Sequence, residues 1–323
     1  MKKSPVLITE PAAVAALKKI YEASAPGGLK WDFSTPGQAT ALDGRLNVSK
    51  GVWTGLNLDF CIGDISPLSG LVNLTKLDLT GNRVSDLSPL AGLTNLKTLN
   101  LSWNEISDLS PLAGLTNLKR LDLSCNEIRE LSPLIGLTNL STLDICENKT
   151  NDLSPLAGLT KLTILGLGDN KISDLSPLAG LVNLTRLYLW NNKISDLSPL
   201  AGLSNLTELN LTVNRKISDL SPLAGLTKLT TLGLGGNKIS DLSPLAGLVN
   251  LTRLYLWKNK ISDLSPLAGL TNLSMLDICD NKTNDLSPLS HLRKLEHIDF
   301  REGIRRPPHS SPRRKVINLR RQG

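Results

Sequence analysis

Leu96 to Asn117 reads LKTLNLSWNEISDLSPLAGLTN, and this 22-residue unit recurs with few changes along most of the chain. Apolar residues fall at Leu96, Leu99, Leu101, Ile106, Leu109, Leu112 and Leu115, and Asn104 follows the Leu-x-Leu pair. The same pair recurs at Leu56, Leu77, Leu99, Leu121, Leu143, Leu165, Leu187, Leu209, Leu232, Leu254, Leu276 and, degraded, at Ile298. A fixed period of this length marks a solenoid: one unit cannot bury its apolar face alone, so successive units must stack.

Alternation in Leu-x-Leu sends the leucines inward and their neighbours outward on a short strand. Stacking sets such strands parallel, about 4.8 Å apart. The asparagine after each strand is expected to bond loop backbone groups left unpaired by the sharp turn. The return path, Asp-Leu-Ser-Pro-Leu, offers serine as a cap and proline for a first turn, and is short enough to predict 3₁₀ or single-turn structure. Asp86, Asp108, Glu130, Asp152 and their equivalents form an acidic ladder, with Lys171, Lys193, Lys216, Lys238 and Lys260 three residues ahead of later members. Backbone capping and solvated ion pairs account for that ladder better than a metal, and no cofactor is expected.

Period and consensus together are identified as a leucine-rich repeat. They resemble the short repeats of the internalins and of the SDS22-type phosphatase regulators, most closely in ISDLSPLAGLTNL at Ile106 to Leu118. The resemblance covers about residues 56–300. It implies an α/β solenoid: a right-handed horseshoe with a parallel concave β-sheet, a short 3₁₀/turn convex side and protein binding on the concave face. No immunoglobulin-like segment, wall-sorting end or recognisable signal peptide accompanies the repeats, so an invasion role is not carried over.

Three parts follow. Residues 1–50 read as an N-terminal helical cap: Thr9-Glu10-Pro11 is a helix start, Val14, Leu17, Ile20 and Tyr21 recur at helical spacing, and Ala25-Pro26-Gly27-Gly28 stops the run. Residues 51–300 form the solenoid of about 12 strand motifs, and 301–323 a basic tail. The net charge of +7 sits in that tail region, because from Arg293 onward there are ten Lys/Arg against three Asp/Glu. A disordered arm or loose cap is expected there. Cys61, Cys125, Cys146 and Cys279 read as single substitutions rather than a disulfide framework, although Cys125 and Cys146 fall on neighbouring strands. No apolar run is long enough to span a membrane, and the expectation is a cytoplasmic bacterial monomer, with a secreted or surface form as the alternative.

The array was enlarged by copying. VNLTRLYLWNNKISDLSPLAGL from Val182 returns from Val249 with Lys258 in place of Asn191, and LDICEN at Leu143 returns as LDICDN at Leu276. Between the copies, Val213-Asn214-Arg215-Lys216 carries one extra residue, for which a β-bulge is expected.

Catalysis is not expected. The histidines, His291, His297 and His309, cluster at one end, and no nucleophile elbow, zinc-protease motif or Walker loop is present. GLGGNK at Gly233 lacks the helix a phosphate loop needs. The outward strand positions carry the specificity. Asp122 and Asp144 make the earlier repeats acidic, while the later ones carry Arg186, Tyr188, Trp190 and their duplicates Arg253, Tyr255, Trp257, with Trp103 near a strand edge. Exposed Tyr, Trp and Arg dominate binding hot spots, so these residues are the expected contact surface for a protein or peptide partner. The competing reading is local packing, with the rings lying over Gly166, Gly168, Gly233 and Gly235. Nucleic acid or anionic membrane enters only through the basic tail.

Overall fold

The fold is described from a computed structural model. Its described residues are 6–8, 15, 18–19, 31–32, 39–41, 46–49, 52–58, 64–300 and 316–318. The chain divides into two units, Met1–Leu162 and Thr163–Gly323.

In the first unit, β1 (Val6–Ile8), β2 (Trp31–Asp32) and β3 (Ala39–Ala41) make an antiparallel sheet in the order β1-β3-β2. A hairpin follows, β4 (Leu46–Ser49) on β5 (Val52–Asn57), with a register shift between Asn47 and Val48. From β5 the pairing turns parallel and steps through β6 (Lys76–Asp78), β7 (Thr98–Asn100), β8 (Arg120–Asp122) and β9 (Thr142–Asp144). Two expectations change here. The segment 1–50 is helical at Ala15, Lys18 and Lys19 but also carries four strands, and the hairpin runs straight across the expected boundary at residue 50. The rest of the expected helix lies outside the described residues.

The second unit continues the pattern with β10 (Ile164–Gly166), β11 (Arg186–Tyr188), β12 (Glu208–Asn210), β13 (Thr231–Gly233), β14 (Arg253–Tyr255), β15 (Met275–Asp277) and β16 (His297–Asp299). All are parallel and in register. Finally β17 (Val316–Asn318) runs antiparallel to β16, so this part of the tail pairs with the last repeat, as the cap alternative and not the disordered arm requires. Residues 301–315 and 319–323, where all of the tail's Lys and Arg fall, lie outside the described residues.

Every one of the motif leucines from Leu56 to Leu276, with Ile298, is buried. In the opening unit Leu99, Leu101, Ile106, Leu109, Leu112 and Leu115 are all between 0% and 1% exposed. Truncating one such leucine to alanine costs about 2–5 kcal/mol, because the stacked neighbours collapse only partly into the gap.

The asparagines close the turns as expected. The Asn104 side-chain amide donates to the Leu79 and Leu101 carbonyls, each at 2.9 Å, while its Oδ1 accepts the Asn82 and Val84 N–H groups at 3.1 and 2.8 Å. Asn126 repeats the arrangement on Leu101, Leu123 and Ile106. The return path is a Ser-Pro-Leu 3₁₀ turn, as at Ser110–Leu112, where the Leu112 N–H reaches the Leu109 carbonyl at 2.9 Å. Serine is not its cap. The aspartate two residues ahead fills that role: Asp108 Oδ1 accepts the Ser110 N–H at 2.8 Å, and Asp86, Asp152, Asp196 and Asp263 act alike. These bonds hold the carboxylates below their ordinary pKa, led at Asp86, Asp108, Asp196 and Asp263 by the serine side chain and then by its backbone.

The residue just before each turn asparagine has a left-handed backbone: Trp103 (φ 58°), Cys125, Glu147, Asp169, Asn191, Val213 (φ 63°), Lys258 and Asp280, with Gly81 and Gly236 in the same position. The turn with the extra residue holds a second left-handed residue, Arg215 (φ 65°), as the first turn does at Arg83 (φ 55°) without an insertion. The β12–β13 ladder keeps its register, Glu208 to Thr231 and Leu209 to Leu232. The expected bulge is therefore absorbed by the turn, and the sheet is undisturbed.

Candidate functional site

Alternation gives each strand of the second unit three outward residues, and in-register pairing lines them up in rows. One row holds Arg186, Glu208, Thr231, Arg253, Met275 and His297; the next holds Tyr188, Asn210, Gly233, Tyr255, Asp277 and Asp299. Two aromatic strands thus stand three strands apart, about 14 Å at the usual strand spacing.

Each tryptophan leans back over the glycine of the preceding strand. A Cβ on Gly168 would lie 2.1 Å from Trp190 Nε1, and one on Gly235 would lie 2.2 Å from Trp257 Nε1. The indoles fill the space that a side chain would take. The tyrosine does otherwise: the space above Gly233 is closed by Asn210 Oδ1 at 2.9 Å and Thr212 Cγ2 at 3.1 Å, not by Tyr255. Local packing therefore describes the tryptophans, which all the same stay half-buried, as do Tyr188 and Tyr255.

Two cavities open on either side of Tyr255 and Trp257. The first, of about 400 Å³, is lined by Glu208, Asn210, Thr212, Thr231, Gly233 and Arg253 together with the two rings. The second, of about 390 Å³, has the same rings on one side and Met275, Asp277, His297 and Asp299 on the other. The arginines, equivalent in sequence, have different partners. Arg186 pairs with Glu208 at 3.8 Å, whereas Arg253 Nε donates to Thr231 Oγ1 at 3.2 Å.

Two residues after Asp277, Cys279 is 7% exposed. Burial first, then the charge of Asp277, a hydrogen bond with Asp299 and the charge of Asp299, push its thiol up to about 12. It stays protonated at neutral pH and is no activated nucleophile. Ligand-capable atoms of Asp277, Cys279 and Asp299 lie within 4.8 Å of one another, a donor cluster that the sequence reading, which assigned no metal, did not bring together.

In the first unit, Asp122 and Asp144 are neighbours in the β8–β9 ladder. Both are half-buried, and each carboxylate closes a local turn: Asp122 Oδ1 accepts Ser124 N–H and Oγ–H at 3.0 and 2.6 Å, and Asp144 Oδ1 accepts the Cys146 N–H at 2.9 Å. Burial, with smaller additions from Asp144 and Asp78, raises the Asp122 pKa above its ordinary value despite the Ser124 bonds. The same closure recurs at Asp78, Asn100 and Asn210. Polar residues in this column thus have a structural duty that strand alternation does not reveal. Cys125, Cys146 and Cys279 are thiols, not disulfides. Trp103, 63% exposed, projects from the left-handed turn position.

The residues that alternation implies but the sequence reading passed over are Glu208, Thr231, Met275, His297 and Asp299. For the first four the signal was the position one step ahead of each Leu-x-Leu, read only where it held arginine; Asp299 sits between Ile298 and Phe300, where the last repeat's motif is degraded. Among the described residues no helix is long and apolar enough to cross a membrane.

The family model for leucine-rich repeats (2 copies) matches residues 54–92, 94–136, 138–180, 182–225, 206–247, 227–269 and 249–292. An internalin (inlF) from Listeria monocytogenes is 42% identical with a TM-score of 0.65, over 75% of this chain and 78% of that one. A leucine-rich-repeat protein of Leptospira interrogans is 28% identical with a TM-score of 0.69, over 73% of this chain and 62% of that one. The leucine-rich-repeat ectodomain of the Arabidopsis thaliana receptor kinase GASSHO1/SCHENGEN3, solved in complex with Casparian strip integrity factor 2, is 26% identical with a TM-score of 0.60. That likeness covers 72% of this chain and 33% of the receptor's. No curated protein matches.

Proposed function

Since the chain belongs to the leucine-rich-repeat family, with repeats of the internalin type, we propose that it is a non-catalytic scaffold that binds a partner protein or peptide on the sheet face of its second unit. The observation that carries this reading is the pair of half-buried Tyr-x-Trp strands with cavities on both sides of the second. Rings anchored on glycine backbone are already immobilised, so a partner gains their area without ordering them. Arg186 and Arg253 give that face polar handles beside the rings. Trp103, Asp122 and Asp144 form a separate, more acidic face on the first unit, which we assign a secondary part in contact. The protein acts as a monomer in this reading.

Affinity capture with the wild-type chain and with Tyr188, Trp190, Tyr255 and Trp257 all replaced by alanine tests the proposal. Proteins recovered by the first and lost by the second, with circular dichroism unchanged, support it. Identical recovery by both sinks it. A second reading, display outside the cell as an internalin-like adhesin, is favoured by the 42% identity to an internalin. Recovery of the protein from culture medium or washed cell surfaces, rather than cytoplasm, decides between the two.

A further inference from the structure

The cavity on the far side of Tyr255 and Trp257 has a chemistry of its own. The rings of Tyr255 and Trp257 line one side; Asp277 and Asp299, paired across β15 and β16, line the other. Strand spacing holds those carboxylates about 4.8 Å apart at the backbone. Both are half-buried, and Met275 adds an apolar surface beside them. Like charges so placed repel, since ligand-capable atoms of the two carboxylates lie within 4.8 Å of each other. A positive group between them offsets the repulsion, and aromatic faces attract a cation by their quadrupole. Arginine and lysine also carry an aliphatic stem that lies along apolar wall.

We propose that this cavity receives an arginine or lysine side chain projecting from an extended segment of the partner protein. The proposal rests on the reading of this face as the partner surface and names the chemistry the partner must bring. At about 390 Å³ the space suits a long side chain and far exceeds what a bare metal ion fills. The neighbouring cavity differs in kind: its one carboxylate, Glu208, is paired with Arg186 at 3.8 Å, and Asn210, Thr212, Thr231 and the cation of Arg253 complete its polar lining. Charge thus fixes which way round a segment crosses Tyr255, its basic residue toward Asp277 and Asp299.

The test is an NMR titration of the full chain with a capped glycine-serine heptapeptide bearing one central arginine, and with its citrulline twin, the uncharged isostere. Saturating shifts of the Trp257 indole N–H with the arginine peptide, and binding at least about tenfold weaker with citrulline, support the proposal. Asp277→Asn with Asp299→Asn should erase the difference while leaving the spectrum elsewhere intact. Equal binding of the two peptides, or no saturation by either, overturns it. So does tight zinc binding that blocks the peptide, which would make the cluster an ion site. Binding seen only after Arg313, Arg314 and Lys315 are changed to glutamine would also overturn it, by making the chain's own tail the occupant. If the four-alanine variant loses its captured partner and the two asparagine changes do not, partner binding stands and the basic-side-chain pocket falls.

Discussion

Arg186, Tyr188 and Trp190 are repeated at Arg253, Tyr255 and Trp257 with the same register and the same indole-on-glycine packing. The strand that follows them differs. After the first copy come Glu208, Asn210 and Thr212; after the second come Met275, Asp277 and Cys279. Glu208 pairs with Arg186, so the first copy's handle is partly neutralised, while Arg253 keeps only a hydroxyl acceptor among the bonds described for it. Copying therefore preserved the wall and changed what the wall faces. Identity between repeats says little about shared function when the neighbouring strand supplies half of every cavity.

The largest expected effect separates the copies directly. Alanine at both Tyr255 and Trp257 should weaken partner binding by about a hundredfold, and alanine at both Tyr188 and Trp190 by about tenfold, in titrations against the captured partner. Equal losses would make the copies equivalent and break the comparison. Gly168→Ala and Gly235→Ala probe what they share. Each new methyl displaces an indole, so each should cost about 1–3 kcal/mol in urea unfolding and shift tryptophan emission to the red. A change in one variant alone would mean that the packing, too, has diverged.

The irregular repeat between the copies yields a smaller effect of opposite sign. Val213 is β-branched and holds φ at 63°, a conformation that costs an L-residue about 1–2 kcal/mol. Val213→Gly should raise stability by about 1 kcal/mol, less than the full relief because glycine gains freedom when unfolded. A lower unfolding midpoint would place unrecognised packing at that side chain.

The smallest effect concerns the caps. Asp196 and Asp263, one in each copy, are held below their ordinary pKa by Ser198 and Ser265. A carboxylate lowered in the folded state adds stability above its unfolded pKa and loses it as pH falls through the folded value. Asp196→Asn and Asp263→Asn should therefore be slightly less stable than wild type at neutral pH and indistinguishable from it in strong acid. Matching curves for the two variants would show that the scaffold, unlike the face, was copied without change. Asp122 runs the other way, its raised pKa favouring the folded state on protonation.

The framework was legible because each of its letters has one use. Leu99 and Leu101 can only point inward, and Asn104 suits a turn whose backbone needs both a donor and an acceptor. Left-handed turn positions were hidden because Trp103, Cys125 and Val213 are not residues that advertise that conformation. Asx-type closure was hidden because Asp122 and Asn100 look like free surface polarity until the N–H two residues on is seen against them. The strand Leu46–Ser49 lacks the repeat's letters altogether and borrows its conformation from pairing with β5. At the face, Tyr188 and Tyr255 were readable as residue types. Their surroundings depend on Glu208, Met275 and Asp299, which only stacking of later repeats brings into the neighbourhood.

The asparagine ladder gives the array a direction. Asn104 serves Leu79 and Val84, Asn192 serves Leu167 and Ile172, and Asn281 serves Leu256 and Ile261: each reaches toward the chain start. Each repeat so served is completed by its successor and owes nothing of this kind to its predecessor. Shaving repeats from the front of such a run leaves the survivors whole, whereas shaving them from the back orphans a carbonyl and an N–H in whichever repeat becomes last. Growth by internal copying escapes that asymmetry, because a spliced block of whole repeats always finds an asparagine waiting behind it.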